Sequence, residues 1–171
     1  MSRYELFLFL HVASVIVWLG AGTTLALVAF FAGRTGDREL LGKLGSIGQW
    51  LGPRVFGPSA LGALVFGLVL VHEGAWTFGP LWVELGLGAL ALSFLLNVGV
   101  RVPLMRRLRR GVSPQRTVRA LGLLPRFELT VLYLAVADMI AKPTGADAGT
   151  LAAGGAILGL VAAGVAWGVA R

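Results

Sequence analysis

Four ionisable side chains lie within or at the ends of long apolar stretches of the sequence: His11, His72, Glu84 and Asp138. Such groups are costly at membrane depth and usually face a helical bundle or a cavity. Two imidazoles and two carboxylates form a donor set suited to Cu(II) or Zn(II); a histidine can also ligate haem iron, and carboxylates can relay protons. The structural alternative is that each polar group hydrogen-bonds a neighbouring helix.

His11 is the strongest single candidate for a cofactor ligand. It lies about five residues into the first apolar stretch, and helical spacing places it on one face with Ser14, Trp18 and Gly22. Small residues beside an imidazole leave room for a flat ligand. We therefore predict a cofactor-binding face with His11 and Trp18, against the alternative that His11 is a hydrogen-bonded core residue.

A second group of charges lies at the opposite ends of the third and fourth stretches. Arg101 closes the third stretch, and Arg126 and Glu128 open the fourth. Residues two apart do not share a helix face, so Glu128 is better placed than Arg126 to meet Arg101 or another helix. The pattern predicts an interfacial ion-pair set, with a proton entry as the alternative.

If the N terminus lies outside, odd spans begin and even spans end on the outer side, so His11, His72, Glu84 and Asp138 are all expected in the outer leaflet. The two carboxylates have a pairing partner of their own in the sequence. Glu84 or Asp138 is expected to pair with Lys142, or to be protonated. In a proton-coupled transporter, the titrating groups would be Asp138, Glu84 and Glu128.

These residues are carried by a strongly apolar chain of 171 residues. It is 57% hydrophobic and 13% charged, with a mean hydropathy of +0.83. A span requires about 20 apolar residues, so this length holds at most about six spans and no large soluble domain. We predict an all-α single transmembrane domain, 1–171, with five helices at about 6–31, 55–71, 81–100, 123–141 and 151–169.

The distribution of arginine predicts the orientation, because short loops rich in Arg and Lys stay in the cytoplasm. The segment at about 101–122 is basic and contains no acidic residue, and the segment after the first span is also basic. The loops 72–80 and 142–150 carry little positive charge. The predicted topology is N-out and C-in in a bacterial cytoplasmic membrane, with Arg171 in the cytoplasm.

The basic segment accounts for much of the net charge of +7. Topogenic charge in contact with anionic lipid headgroups explains it better than nucleic-acid binding does. Docking of a cytoplasmic partner is the alternative.

Glycine is abundant, with 25 residues, and in lipid small residues let helices approach closely. The fifth stretch carries two small-xxx-small patterns, Gly155 to Gly159 and Gly164 to Gly168. They predict packing within the chain or, alternatively, a homo-oligomer or a membrane partner bound through the fifth helix.

Several classes of site are excluded by composition or motif. The chain has no cysteine, and therefore no disulfide, thiolate metal site or iron–sulfur cluster. It has no nucleotide-binding glycine loop, no HExxH and no Gly-x-Ser-x-Gly. Catalysis is not indicated.

Two parts of the chain carry distinctive motifs: Leu10-His11-Val12 and Trp18-Leu19-Gly20 in the first span, and the Asp-Met-x-x-Lys-Pro ending of the fourth, residues 138–143. Through these motifs the chain resembles an uncharacterised family of small bacterial integral membrane proteins. This resemblance implies a multi-pass helical protein without an established activity.

The first span is also distantly similar to that of CopD-type copper-resistance proteins and HemJ-type protoporphyrinogen oxidases. That similarity implies His11 as a haem or metal ligand. The lysine and histidine of a later helix in the HemJ type are missing here after Trp82-Val83-Glu84. Three functions stay open: binding of haem b, copper or zinc, proton-coupled transport, and a structural or accessory role.

Overall fold

A computed structural model describes residues 2–74, 76, 78–111 and 114–170, without the side chains of Arg109, Pro114 and Gln115. Arg171, predicted to be cytoplasmic, and the side chain of Arg109 in the basic segment lie outside the described residues. Every secondary-structure element in those ranges is a helix, and five helices are long and apolar enough to cross a membrane. The predicted all-α architecture with five spans is confirmed.

The helices follow one another with short connections. They are α1 (Arg3–Thr35), α2 (Arg38–Leu51), α3 (Gly57–Glu73), α4 (Leu81–Leu95), α5 (Val102–Arg109), α6 (Pro114–Ala141) and α7 (Ala148–Ala170). Two π-helical segments, Gly52–Phe56 and Leu96–Arg101, join α2 to α3 and α4 to α5 without a break.

The helices extend beyond the apolar stretches that predicted them. The second span, predicted at 55–71, belongs to a helical run Arg38–Glu73, and much of the segment predicted as a basic loop, 101–122, is helical. Hydropathy marks only the part of a helix that contacts lipid. Arg, Leu and Ala have high helix propensity, so the backbone remains helical where the sequence becomes polar.

Both π-helical segments lie just before a proline at the second position of the following α-helix, Pro58 in α3 and Pro103 in α5. Proline lacks an N–H, and its ring clashes with the carbonyl four residues earlier in a regular α-helix. A wider turn relieves that clash. The two helical runs therefore continue through sequences that would otherwise break them.

The turn between α1 and α2 has clear end signals. Gly36 ends α1 with a φ of +71°, a left-handed conformation that favours glycine. Asp37 then caps α2 by accepting a hydrogen bond from the backbone N–H of Leu40.

The chain, expected to form one domain, divides into two compact units, residues 1–78 and 79–171. In the first unit, α1 packs along α3. In the second, α6 contacts α4, α5 and α7. The buried residues of α6 include Leu124, Glu128, Val131 and Leu132, so the core of the second unit lies along this helix.

Candidate functional site

Antiparallel packing of α1 on α3 brings His11 to the middle of α3. At one end of the pair, Arg3 forms an ion pair with Glu73 at 3.2 Å. One turn further along α1, the rings of Phe7 and Phe66 lie 6.2 Å apart. This register places the next turn of α1, which carries His11, opposite residues 63–67.

The His11 ring is fixed by a hydrogen bond between the two helices. Its Nδ1 lies 2.8 Å from the backbone carbonyl oxygen of Ala63. A carbonyl only accepts hydrogen bonds, so Nδ1 carries the proton, and in the neutral ring Nε2 holds a lone pair. A histidine that ligates a metal has this arrangement, in which the second ring nitrogen donates to a carbonyl or carboxylate.

Two glycines of α3 allow α1 to approach this closely. A Cβ at Gly67 would lie 3.1 Å from Cε1 of His11, and a Cβ at Gly62 would lie 2.6 Å from Oγ of Ser14. Ser14 itself donates to the carbonyl of Leu10 at 2.8 Å. Glycine at both positions therefore sets the helix spacing that the hydrogen bond of His11 requires.

Trp18 and His72 occupy different positions relative to His11. Trp18 is half-buried two turns later on the same face of α1, about 10 Å along the axis. His72 is exposed, and it lies nine residues after Ala63, which places it on the opposite face of α3 and about 13 Å further along. The structure thus does not join the two histidines in one site.

In the second unit, a buried polar network links α4, the following π-helical segment and α6. Ser93 Oγ and Asn97 Nδ2 both donate to Oε1 of Glu128, at 2.7 and 2.8 Å. Arg101 donates to Oε2 of Glu128 at 2.7 Å and to Oδ1 of Asn97 at 2.9 Å. Glu128 is 7% exposed, so its charge is compensated almost entirely by these three side chains.

Arg126 does not join this network. It lines a groove between α6 and α7 with Leu123, Val161, Gly164 and Val165. The structure therefore brings Arg101 together with Glu128 and places Arg126 on another face of α6. Sequence reasoning did not select Ser93 as a member; its spacing of four from Asn97 and eight from Arg101 on one helix face was the available signal.

Asp138 has very different surroundings near the other end of α6. Both of its carboxylate oxygens are inaccessible to solvent, and neither has a hydrogen-bond partner. Lys142, its expected partner, has its Nζ 5.1 Å from the centre of the Trp82 ring. Asp138 is the polar group of the described residues that most requires an explanation.

Glu84 faces away from α6. The face of α4 that contacts α6 carries Trp82, near Lys142, and Gly86, beside the methyl group of Met139. Glu84 is two residues from each of these and is exposed. It therefore shares no helix face with the contact to Asp138.

The four residues predicted as metal ligands are His11, His72, Glu84 and Asp138. Across the described ranges, no group of three or more His, Asp or Glu side chains is arranged to hold a metal ion.

Comparisons with known proteins agree with this architecture. Residues 5–143 match a family model described as "Predicted integral membrane protein (DUF2269)", a range that includes His11, Glu128 and Asp138. No curated protein and no solved structure matches the chain.

Proposed function

The chain belongs to the DUF2269 family of predicted integral membrane proteins, and on that premise we propose that it binds haem b through Nε2 of His11. The observation that carries this proposal is the 2.8 Å contact between Nδ1 of His11 and the carbonyl of Ala63. It orients the ring and leaves Nε2 as the ligand atom.

Haem is favoured over a bare copper or zinc ion by the number of ligands that each needs. A protein-bound zinc or copper ion usually takes three or four donors from side chains. A haem iron already has four porphyrin nitrogens and needs only axial ligands from the protein. His11 can supply one axial ligand to a haem iron, and Trp18 lies on the same face of α1.

The test is a visible absorption spectrum, oxidised and reduced, of the full chain purified in detergent after expression with haem supplied. We expect a Soret band, reducible α and β bands, and near-stoichiometric iron. His11→Ala should lose the bands, whereas His72→Ala, on the opposite face of α3, should retain them. A colourless wild type, or bands that persist in His11→Ala, would remove the assignment. Stoichiometric copper or zinc without a Soret band would replace haem by a metal ion.

Orientation is part of the proposal, with His11 near the periplasmic side and the α5–α6 turn in the cytoplasm. The described arginines of that turn are exposed and suited to anionic lipid headgroups; they are Arg106, Arg107, Arg110, Arg116 and Arg119. Because the chain has no cysteine, single cysteines report the topology directly. An impermeant maleimide should label Gly145→Cys and not Arg110→Cys in intact cells, and the reverse pattern would invert the topology.

A second role, association through α7, is favoured by a different observation. A Cβ at Gly155 or Gly159 would meet no atom within 4 Å, whereas Gly168 packs against Leu123. The first small-xxx-small pattern is therefore open to a second copy of this helix. Gly159→Leu should lower the cross-linked dimer fraction, and Ala153→Leu, on another face, should not; equal cross-linking in both variants would contradict the role.

A further inference from the structure

The carboxylate of Asp138 is buried without any compensating group. Its two oxygens are inaccessible to solvent and lack a hydrogen-bond partner. An ionised carboxylate in this position would be an unpaired charge at membrane depth, which is strongly unfavourable. The side chain therefore needs something that the described residues do not supply.

The charged groups on the elements packed around Asp138 are few. Lys142 lies just past the end of α6, four residues after Asp138, with its ammonium group over the Trp82 ring. On α4, the ionisable residue is Glu84, which is exposed and faces away from α6. The sequence of α7, Ala148–Ala170, contains no ionisable side chain. Glu128, ten residues before Asp138 on α6, is already paired with Arg101 of the π-helical segment after α4.

We propose that Asp138 is a proton-binding site within the second unit, independent of the proposed cofactor site at His11. On uptake, a proton adds to one carboxylate oxygen and gives the neutral carboxylic acid; on release, the proton leaves and the carboxylate returns. The proton is favoured over a metal cation because hard cations need several oxygen ligands. Asp138 does not belong to any group of three or more His, Asp or Glu side chains that could hold a metal ion among the described residues.

Burial of both oxygens explains why the neutral form is the resting one. Proton release creates a charge that the apolar surroundings do not stabilise, so it requires water or a positive group to reach the carboxylate. The next positive side chain in the sequence is that of Lys142, just past the end of α6, where a φ of +47° takes the backbone out of the helix.

The experiment uses dicyclohexylcarbodiimide, an apolar reagent that adds to protonated carboxyl groups, on the full chain in liposomes. We expect one adduct per chain, located on Asp138 by peptide mass spectrometry, and a loss of labelling as the pH is raised. Asp138→Asn should lose the adduct, and Glu84→Gln, the matched control on α4, should keep it.

Three results of this experiment would overturn the proposal. They are the absence of labelling at every pH, an adduct located on Glu84 or Glu128 instead of Asp138, and undiminished labelling of Asp138→Asn. Because peptide mapping of the wild type identifies the modified residue by itself, the result does not depend on the folding of any variant. The haem spectrum is measured separately, so failure of either proposal is distinguishable from failure of the other.

Discussion

Glu128 and Asp138 lie ten residues apart on α6, and their carboxylates have opposite surroundings. Glu128 accepts hydrogen bonds from Ser93 and Asn97 and pairs with Arg101, whereas neither oxygen of Asp138 has a partner. A buried charge whose partners are all present can hold two helices together, whereas a buried polar group without partners requires an explanation. The two carboxylates thus differ in hydrogen bonding because of what the neighbouring helix presents to each.

The largest expected effect is on the free energy of unfolding, and it comes from removing the hydrogen-bonded carboxylate of Glu128. Glu128→Ala leaves Arg101 without its anion and Ser93 without its acceptor, so we expect the free energy of unfolding to fall. Because Arg101 is 31% exposed, the loss should be near the lower end of the range for buried pairs, about 3 kcal/mol.

The measurement for Glu128 is unfolding in mixed detergent, followed by circular dichroism. Glu84→Ala, which removes an exposed carboxylate from α4, is the control and should stay within about 0.5 kcal/mol of the wild type. An equally small effect for Glu128→Ala would mean that the network does not stabilise the second unit.

Replacement of Asp138, whose carboxylate lacks a hydrogen-bond partner, by alanine should change the free energy of unfolding in the opposite direction. Asp138→Ala removes a buried polar group that makes no hydrogen bond, so the free energy of unfolding should rise by about 1 kcal/mol. The same detergent titration measures it. A loss of stability comparable to that of Glu128→Ala would show that Asp138 has a stabilising partner, and the contrast between the two sites would disappear.

The smallest expected effect on stability is that of a third carboxylate, Asp147, which is exposed but hydrogen-bonded. Its Oδ2 accepts from the backbone N–H and the hydroxyl of Thr144, at 2.7 and 2.8 Å. The backbone bond first, and then the hydroxyl bond, hold the pKa of Asp147 below its ordinary value. Because the pKa of Asp147 is lower in the folded than in the unfolded state, its ionised carboxylate adds to the free energy of unfolding above about pH 4. This contribution is lost as the pH falls through the folded-state pKa.

The thermal midpoint of the wild type should therefore decline at acid pH slightly more than that of Asp147→Asn. The asparagine keeps an acceptor for Thr144 but does not titrate. Identical pH profiles for the two proteins would show that the Thr144 contacts add no stability in solution.

Much of the architecture followed from the sequence. Five apolar stretches predicted five membrane-capable helices, because a segment that crosses lipid must satisfy its backbone hydrogen bonds internally. The spacing of Arg126 and Glu128 also indicated that they face different sides of α6, with Glu128 better placed to meet Arg101 or another helix. The helix ends were less predictable: α2 and α5 are helical in polar sequence, where hydropathy gives no signal.

The candidate sites depended more on packing than on residue type. The sequence predicts that His11, His72, Glu84 and Asp138 lie near helix ends in the outer leaflet, but spacing along a chain does not specify which face of a helix contacts another helix. His72 and Glu84 lie on faces turned away from the contacts of α3 and α4.

The sequence by itself determined that this chain is a helical membrane protein, because hydropathy and helix propensity are local properties of successive residues. Only the tertiary structure decided that Nδ1 of His11 donates to Ala63, that Glu128 is fully paired and that Asp138 is not. Those outcomes depend on the rotation and spacing of neighbouring helices, which glycines such as Gly62 and Gly67 set through contacts between residues distant in the chain.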